Sequence, residues 1–177
     1  MEHRIIMAGF GGQGIMVMGR LLSYAALFAG KEVSWIPAYG VEQRGGTANC
    51  SVCVSDEIIA VPIVTEPTSA IIMNEPSLDK FEPMFEKGAI VLVNSSIVKR
   101  KLTRTDVDAV YLDVNHIAEE IGDVQFANMV MLGAFAKKTG IVDISIIKDA
   151  LKKVLSARRQ NLLEINHKAL EKGYSLV

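Results

Sequence analysis

The most restrictive feature of the sequence is the way apolar and glycine residues are ordered in its N-terminal segment. Arg4 to Ala8 forms a short apolar run that stops at Gly9, as a buried strand does. Gly9-Phe10-Gly11-Gly12-Gln13-Gly14 follows, and from Ile15 to Ala29 apolar residues recur at helical spacing. Gly30 is suited to stop that helix, and Val33 to Ile36 reads as a second strand. Strand, glycine turn, helix and strand make a βαβ unit, whose crossover is right-handed and whose two strands belong to one parallel sheet. The first turn then lies at the carboxyl edge of the sheet, where ligands bind in open α/β folds.

The next segment departs from that rhythm. Thr47 to Ser55 alternates with the period of a strand, Ile58 to Val64 is a second extended run, and Asp56-Glu57 reads as the tight turn of a hairpin between them. Pro62 places the second run at an edge or a bulge, where a missing N–H does no harm. Ser69 to Met73, Ala89 to Asn94 and Ala109 to Val114 read as further strands, with a short helix after Pro76. The rest is helical: Val124 to Lys138, a helix capped by Asp143 and running to Leu155, and a last one over Arg158 to Lys172. The fold class expected is α/β: a three-layer α/β/α arrangement with a mixed, mostly parallel sheet of about six strands. It opens with a Rossmann-like βαβ unit and carries an inserted antiparallel hairpin.

Composition limits what such a chain does. Its 177 residues suit one domain spanning 1–177, and 50% hydrophobic against 22% charged residues exclude intrinsic disorder. With 19 basic and 20 acidic side chains there is no electrostatic case for nucleic acid. The apolar stretch Ile15 to Ala29 is cut by Gly19 and Arg20 and is shorter than the roughly 20 residues that span a bilayer, so no membrane partner is expected. Two cysteines give no disulfide framework, which points to a reducing cytoplasm. The high apolar content fits either burial against partner chains or a sheet covered on both faces.

Two stretches could carry chemistry. In the glycine turn, backbone N–H groups at a helix start can hold an anion, and glycine admits a ligand closely; a tight turn needing glycine for strand–helix packing explains it equally. The second strand ends Trp35-Ile36-Pro37-Ala38, without the acidic residue that holds a ribose hydroxyl, which weighs against NAD. Tyr39-Gly40-Val41-Glu42-Gln43-Arg44-Gly45-Gly46 leaves the same sheet edge and is unusually polar for this chain. Arg44 offers a fork of donors for a carboxylate or phosphate, and Glu42 could orient it. Cys50 and Cys53 are three apart on a strand, so they point to opposite faces and read as packing rather than as a redox pair. His3, His116 and His167 are scattered, so no metal site is expected. The basic residues Lys148, Lys152, Lys153, Arg158 and Arg159 read as a solvated helix face. No nucleophile or paired carboxylates are evident, and no catalytic residue is assigned.

Taken together, the glycine turn, its small-residue helix with Gly19, Ala25-Ala26 and Gly30, and the Tyr39 to Gly46 loop resemble the gamma subunit of 2-oxoacid:ferredoxin oxidoreductases. The resemblance runs from the first strand to the C-terminal helices. It implies a subunit of a hetero-oligomer that oxidatively decarboxylates a 2-oxoacid, 2-oxoglutarate being preferred, with coenzyme A to give acyl-CoA, CO2 and reduced ferredoxin. Thiamine diphosphate, magnesium and iron–sulfur clusters are then held by other subunits, and this chain alone holds no cofactor and is inactive in isolation. The implied partners are alpha, beta and ferredoxin-like delta subunits, with ferredoxin as the electron acceptor of the complex. The candidate contact residues are Gly9, Gly11, Gly12, Gln13, Gly14, Tyr39, Gly40, Glu42, Arg44, Gly45 and Gly46, meeting either ligand or a neighbouring subunit. The alternatives are a stand-alone nucleotide- or CoA-binding module and the equivalent subunit of an indolepyruvate oxidoreductase.

Overall fold

The computed structural model describes residues 2–40 and 46–177. Six strands form one mixed sheet: β1 (Glu2–Phe10), β2 (Glu32–Tyr39), β3 (Thr47–Ser55), β4 (Ser69–Ile72), β5 (Ile90–Asn94) and β6 (Asp108–Leu112), in the order β2-β3-β1-β4-β5-β6. The helices are α1 (Ile15–Phe28), α2 (Glu75–Phe81), α3 (Val114–Ile121), α4 (Ala127–Thr139), α5 (Ile144–Val154) and α6 (Leu163–Tyr174). Short 3-10 turns lie at Glu82–Met84, Val124–Phe126 and Ala157–Leu162.

The antiparallel element is present, but it is built differently from the sequence-based expectation. Ile58 to Val64 forms no strand, and Asp56-Glu57 is a bend rather than a hairpin turn. The hairpin is instead β2 with β3, paired from Glu32↔Ser55 to Tyr39↔Ala48. β3 also pairs antiparallel with β1, from Glu2↔Ser55 to Phe10↔Thr47. β1 and β2 therefore run the same way but never touch, because β3 lies between them. The physical reason is that β3 is buried on both faces, with Val52 and Cys50 in one core and Cys53 in the other, so it belongs inside the sheet. Ile58, Val61 and Ile63 stay exposed and have no such driving force. From β1 through β6 the pairings are parallel.

Two cores lie on opposite faces. Ile5, Met7, Val52 and Leu92 meet α1, α4, α5 and α6 on one face; Ile6, Ala8, Ala70 and Val93 meet Leu78 and Phe81 of α2 on the other. Consequently β1 leads to a helix on the first face and β4 to a helix on the second, which makes the β1–β4 crevice a topological switch point. α4 carries a continuous buried run from Ala127 to Ala136, as a helix enclosed on all sides must. Asp143 caps α5 as expected, its Oδ1 accepting from the Ser145 N–H at 2.8 Å. β6 stops at Leu112 and Val114 opens α3, where a continuation of the strand was expected; the last helix begins at Leu163 after a 3-10 turn.

Candidate functional site at the carboxyl edge of the sheet

The glycine turn carries the chain from Phe10 at the end of β1 to Ile15 at the start of α1. Gly12 and Gly14 have φ of 96° and 76°, in the left-handed region that a Cβ disfavours. Gln13 folds back beneath the turn: its Oε1 accepts from the Phe10 N–H at 2.6 Å, and its Nε2 donates to the Met73 carbonyl at 3.1 Å. One side-chain amide thus ties the turn to the end of β4 across the switch point. Gly9 makes room for it, since a Cβ there would sit 2.5 Å from Gln13 Oε1 and 2.8 Å from Met73 Cβ. Gly9 is itself buried beneath the turn.

The second glycine-rich stretch meets the first. Because β2 and β3 are antiparallel, the chain that leaves at Tyr39 returns at Thr47 beside Phe10. The Gly40 N–H donates to the Thr47 carbonyl at 2.8 Å, and the Gly11 N–H donates to the Gly46 carbonyl at 2.9 Å. That last bond joins the two motifs directly. Tyr39 stands at the rim with 72% of its surface exposed. Glu42, Arg44 and Gly45, with Val41 and Gln43, lie outside the described residues.

Adjoining cavities, all touching Gly12, surround the turn. One of about 210 Å³ opens between the start of α1 and the start of α4, with Gly14, Val17, Asn128, Met129 and Arg159 in its wall. A second, about 240 Å³, lies over the switch point against Gln13, Met73, Asn115, Gln125 and Asn128. A third, about 350 Å³, is bounded by Phe10, Gly11, Met16, Tyr39 and Arg159. Among the described residues no carboxylate lines any of the three, and Arg159 is the charged side chain in their walls. α1 has neither a side-chain cap nor an acidic residue in its first turn, so the positive end of its dipole is uncompensated.

Asn128 and Arg159 line these cavities although no motif of the sequence singles them out. Arg159 follows no local pattern and reads as part of the solvated basic face; of that cluster, Lys148 is paired with Glu171 and Lys152 with Asp149. Asn128 did leave a signal, as a polar residue inside the otherwise apolar run from Phe126 to Ala136.

The cysteines lie elsewhere. Cys50 and Cys53 are free, buried and on opposite faces of the sheet, so the two thiols cannot meet on one metal or in a disulfide. Burial pushes the Cys50 thiol up to about 11, against a smaller opposing pull from the Trp35 indole, and burial raises Cys53 as well. Protonated thiols are poor ligands and poor nucleophiles. These residues do not fit an iron–sulfur cluster, and among the described residues no other group of three or more His, Cys, Asp and Glu is placed to hold a metal. The position of β2 removes the usual dinucleotide geometry too. The strand beside β1 on that side is β3, so the end of β2 lies two strand spacings, roughly 10 Å, from the glycine turn.

The fold is that of a doubly wound α/β module with two glycine-rich stretches joined at one edge and a crevice at its switch point. The chain belongs to the pyruvate ferredoxin/flavodoxin oxidoreductase family, whose model matches residues 4–176. It is similar to ketoisovalerate oxidoreductase subunit VorA of Methanothermobacter marburgensis, 38% identical over 174 residues, which are 97% of this chain and 36% of VorA. It is also similar to 2-oxoglutarate synthase subunit KorC of Methanocaldococcus jannaschii, 36% identical over 180 residues, 99% of this chain and 94% of KorC. The structure of the keto/oxoacid ferredoxin oxidoreductase gamma subunit from Geobacter sulfurreducens matches with a TM-score of 0.84 at 26% identity, covering 98% of this chain and 96% of that one. The chain thus spans 36% of the length of VorA and nearly all of KorC.

Proposed function

We propose that this chain is the gamma subunit of a 2-oxoacid:ferredoxin oxidoreductase and acts in it as a docking module, contributing no bond-making group of its own. The observation that carries this reading is the Gly11 N–H to Gly46 carbonyl bond at 2.9 Å, which fuses the two family motifs into one rim at the carboxyl edge. Backbone bonds hold Gly11 to Gly46 and Gly40 to Thr47 at this edge, and loops on a rigid scaffold are where recognition concentrates. Larger companion chains hold thiamine diphosphate, magnesium and the clusters; this chain abuts them and borders the approach of coenzyme A. The 2-oxoacid in this reading is 2-oxoglutarate, supported by the match to KorC over nearly its whole length.

Purification of the tagged chain from its native cell, followed by assay of whatever elutes with it, tests both levels. The reading expects a thiamine-containing complex that reduces ferredoxin in the presence of coenzyme A and turns over 2-oxoglutarate faster than 2-oxoisovalerate. Faster turnover of the branched acid would overturn the substrate while leaving the subunit role; elution of the chain without a thiamine-binding partner would overturn the role itself.

A further inference from the structure

We infer that the outward face of α1 is a docking surface for a second copy of this chain, paired about a two-fold axis with the two α1 helices antiparallel. Met16, Val17, Arg20, Tyr24, Leu27 and Phe28 recur at spacings of three and four, so they form one stripe along the helix, opposite the buried Ile15, Leu22 and Ala26. Tyr24, Leu27 and Phe28 are 39%, 53% and 50% exposed. The exposed positions of α5 and α6 are held instead by charged residues such as Lys152, Lys153, Glu164, Lys168 and Glu171. Arg20 is the single charge in the 14 residues of α1. That is the composition of a helix covered on its outer side as well as its inner one.

The stripe is self-complementary, which names the occupant. A two-fold contact requires that what one residue offers a second accepts, and the reverse. With the axis midway between Arg20 and Tyr24, two antiparallel helices set Arg20 of each copy against the partner's Tyr24, and Met16 and Val17 against the partner's Phe28 and Leu27. Arg20 is anchored to the Val154 carbonyl at 3.1 Å, an acceptor that leaves its charge uncompensated and suited to the face of a ring. Tyr24 and Phe28 already meet edge to face with centroids 6.4 Å apart, so the ring is held in place. The offset of four residues, about 6 Å along the helix, keeps the two guanidinium groups from facing each other. Tyr24, Leu27 and Phe28 together leave roughly 300 Å² open, a patch size that serves contact on small proteins; two such patches bury about 600 Å², below the ~1,200 Å² of stable complexes, so the pair is weak and reversible.

Sedimentation equilibrium of the purified full chain, from micromolar to near-millimolar concentration, tests this without any companion chain and therefore apart from the role in a complex. A reversible monomer–dimer equilibrium is expected, and Leu27→Asp should weaken it at least tenfold. Position 24 reads the register. Tyr24→Lys, which meets the partner's Arg20 with a like charge, should weaken dimerisation about tenfold, whereas Tyr24→Glu, which offers that guanidinium a carboxylate, should keep it within about threefold. All three positions are exposed, so the melting temperature measured at monomeric concentration should stay that of the parent chain. A monomer at every concentration would overturn the inference, and so would equal losses in Tyr24→Lys and Tyr24→Glu, the result of an apolar contact without this register. A monomeric chain whose Leu27→Asp form no longer co-purifies with companion chains would give the face to them and overturn the second copy as its occupant.

Discussion

Gln13 shows how a motif residue does its work through a contact its neighbours do not reveal. Its amide satisfies the Phe10 N–H and the Met73 carbonyl, the latter 60 positions further along the chain. The sequence makes the turn legible, because glycine clusters after an apolar run imply it, but the brace depends on a strand that only the fold brings alongside. The same holds for Gly14, whose necessity comes from its φ of 76° and from Asn128 on a distant helix. Gly14→Ala is expected to cost roughly 2 kcal/mol, and Gly12→Ala, which points a Cβ into open space, roughly 1 kcal/mol, both read by urea denaturation. The thiols give a chemical check at the same scale. With Cys50 at about 11, roughly one molecule in a thousand carries the thiolate at pH 8. Iodoacetamide should leave both cysteines unmodified in the native protein and label both once it is unfolded; labelling of the native protein would show that their burial is misread.

Elements were more legible than their neighbours in space. The strand periods of β1, β3, β4 and β5 and the Asp143 cap of α5 are local properties, and the structure keeps them. The pairing partner of β3 is not local: two apolar extended runs adjacent in sequence suggest a hairpin, and only burial on both faces assigns β3 to β1 and β2 instead. Close helix contact was equally hidden. α4 and α6 cross where Gly133 and Gly173 face each other's backbone, and a Cβ on Gly173 would lie 1.8 Å from the Val130 carbonyl oxygen. Gly173→Ala should therefore cost about 3 kcal/mol through overpacking, with Gly140→Ala, open but at φ 65°, costing about 1 kcal/mol as the comparison. On the other face Glu82 fastens the segment after β5, accepting from the Arg100 guanidinium, from the Arg104 N–H and from the Thr103 backbone and hydroxyl. Burial alone would raise its carboxyl, but the hydrogen bonds from Arg100, Arg104 and Thr103 outweigh it and hold it below the ordinary range. A carboxyl lowered on folding stabilises above its unfolded value, so this contribution is lost as pH falls below about 4.5. Glu82→Gln should flatten the acid limb of the stability curve and cost about 2 kcal/mol at pH 7, by thermal unfolding across pH.

At the scale of the whole molecule, the sheet is covered by a core on each face, yet several apolar side chains elsewhere stand in the open. Among the described residues no helix is long and apolar enough to cross a membrane. Leu27 and Phe28 on α1, Tyr39 at the rim and Ile58, Val61 and Ile63 after β3 are nonetheless all at least half exposed. The docking reading takes Tyr39 as part of the contact edge. Tyr39→Ala is therefore expected to leave the stability of this chain within about 0.5 kcal/mol while weakening its hold on companion chains in co-purification. The central claim is that the chain works as a fixed part of a larger 2-oxoacid oxidoreductase, and native mass spectrometry of the material purified from its own cells tests it most directly. The account predicts a hetero-oligomer that contains this chain together with a thiamine diphosphate-binding partner; a homogeneous peak at the mass of this chain alone would contradict it.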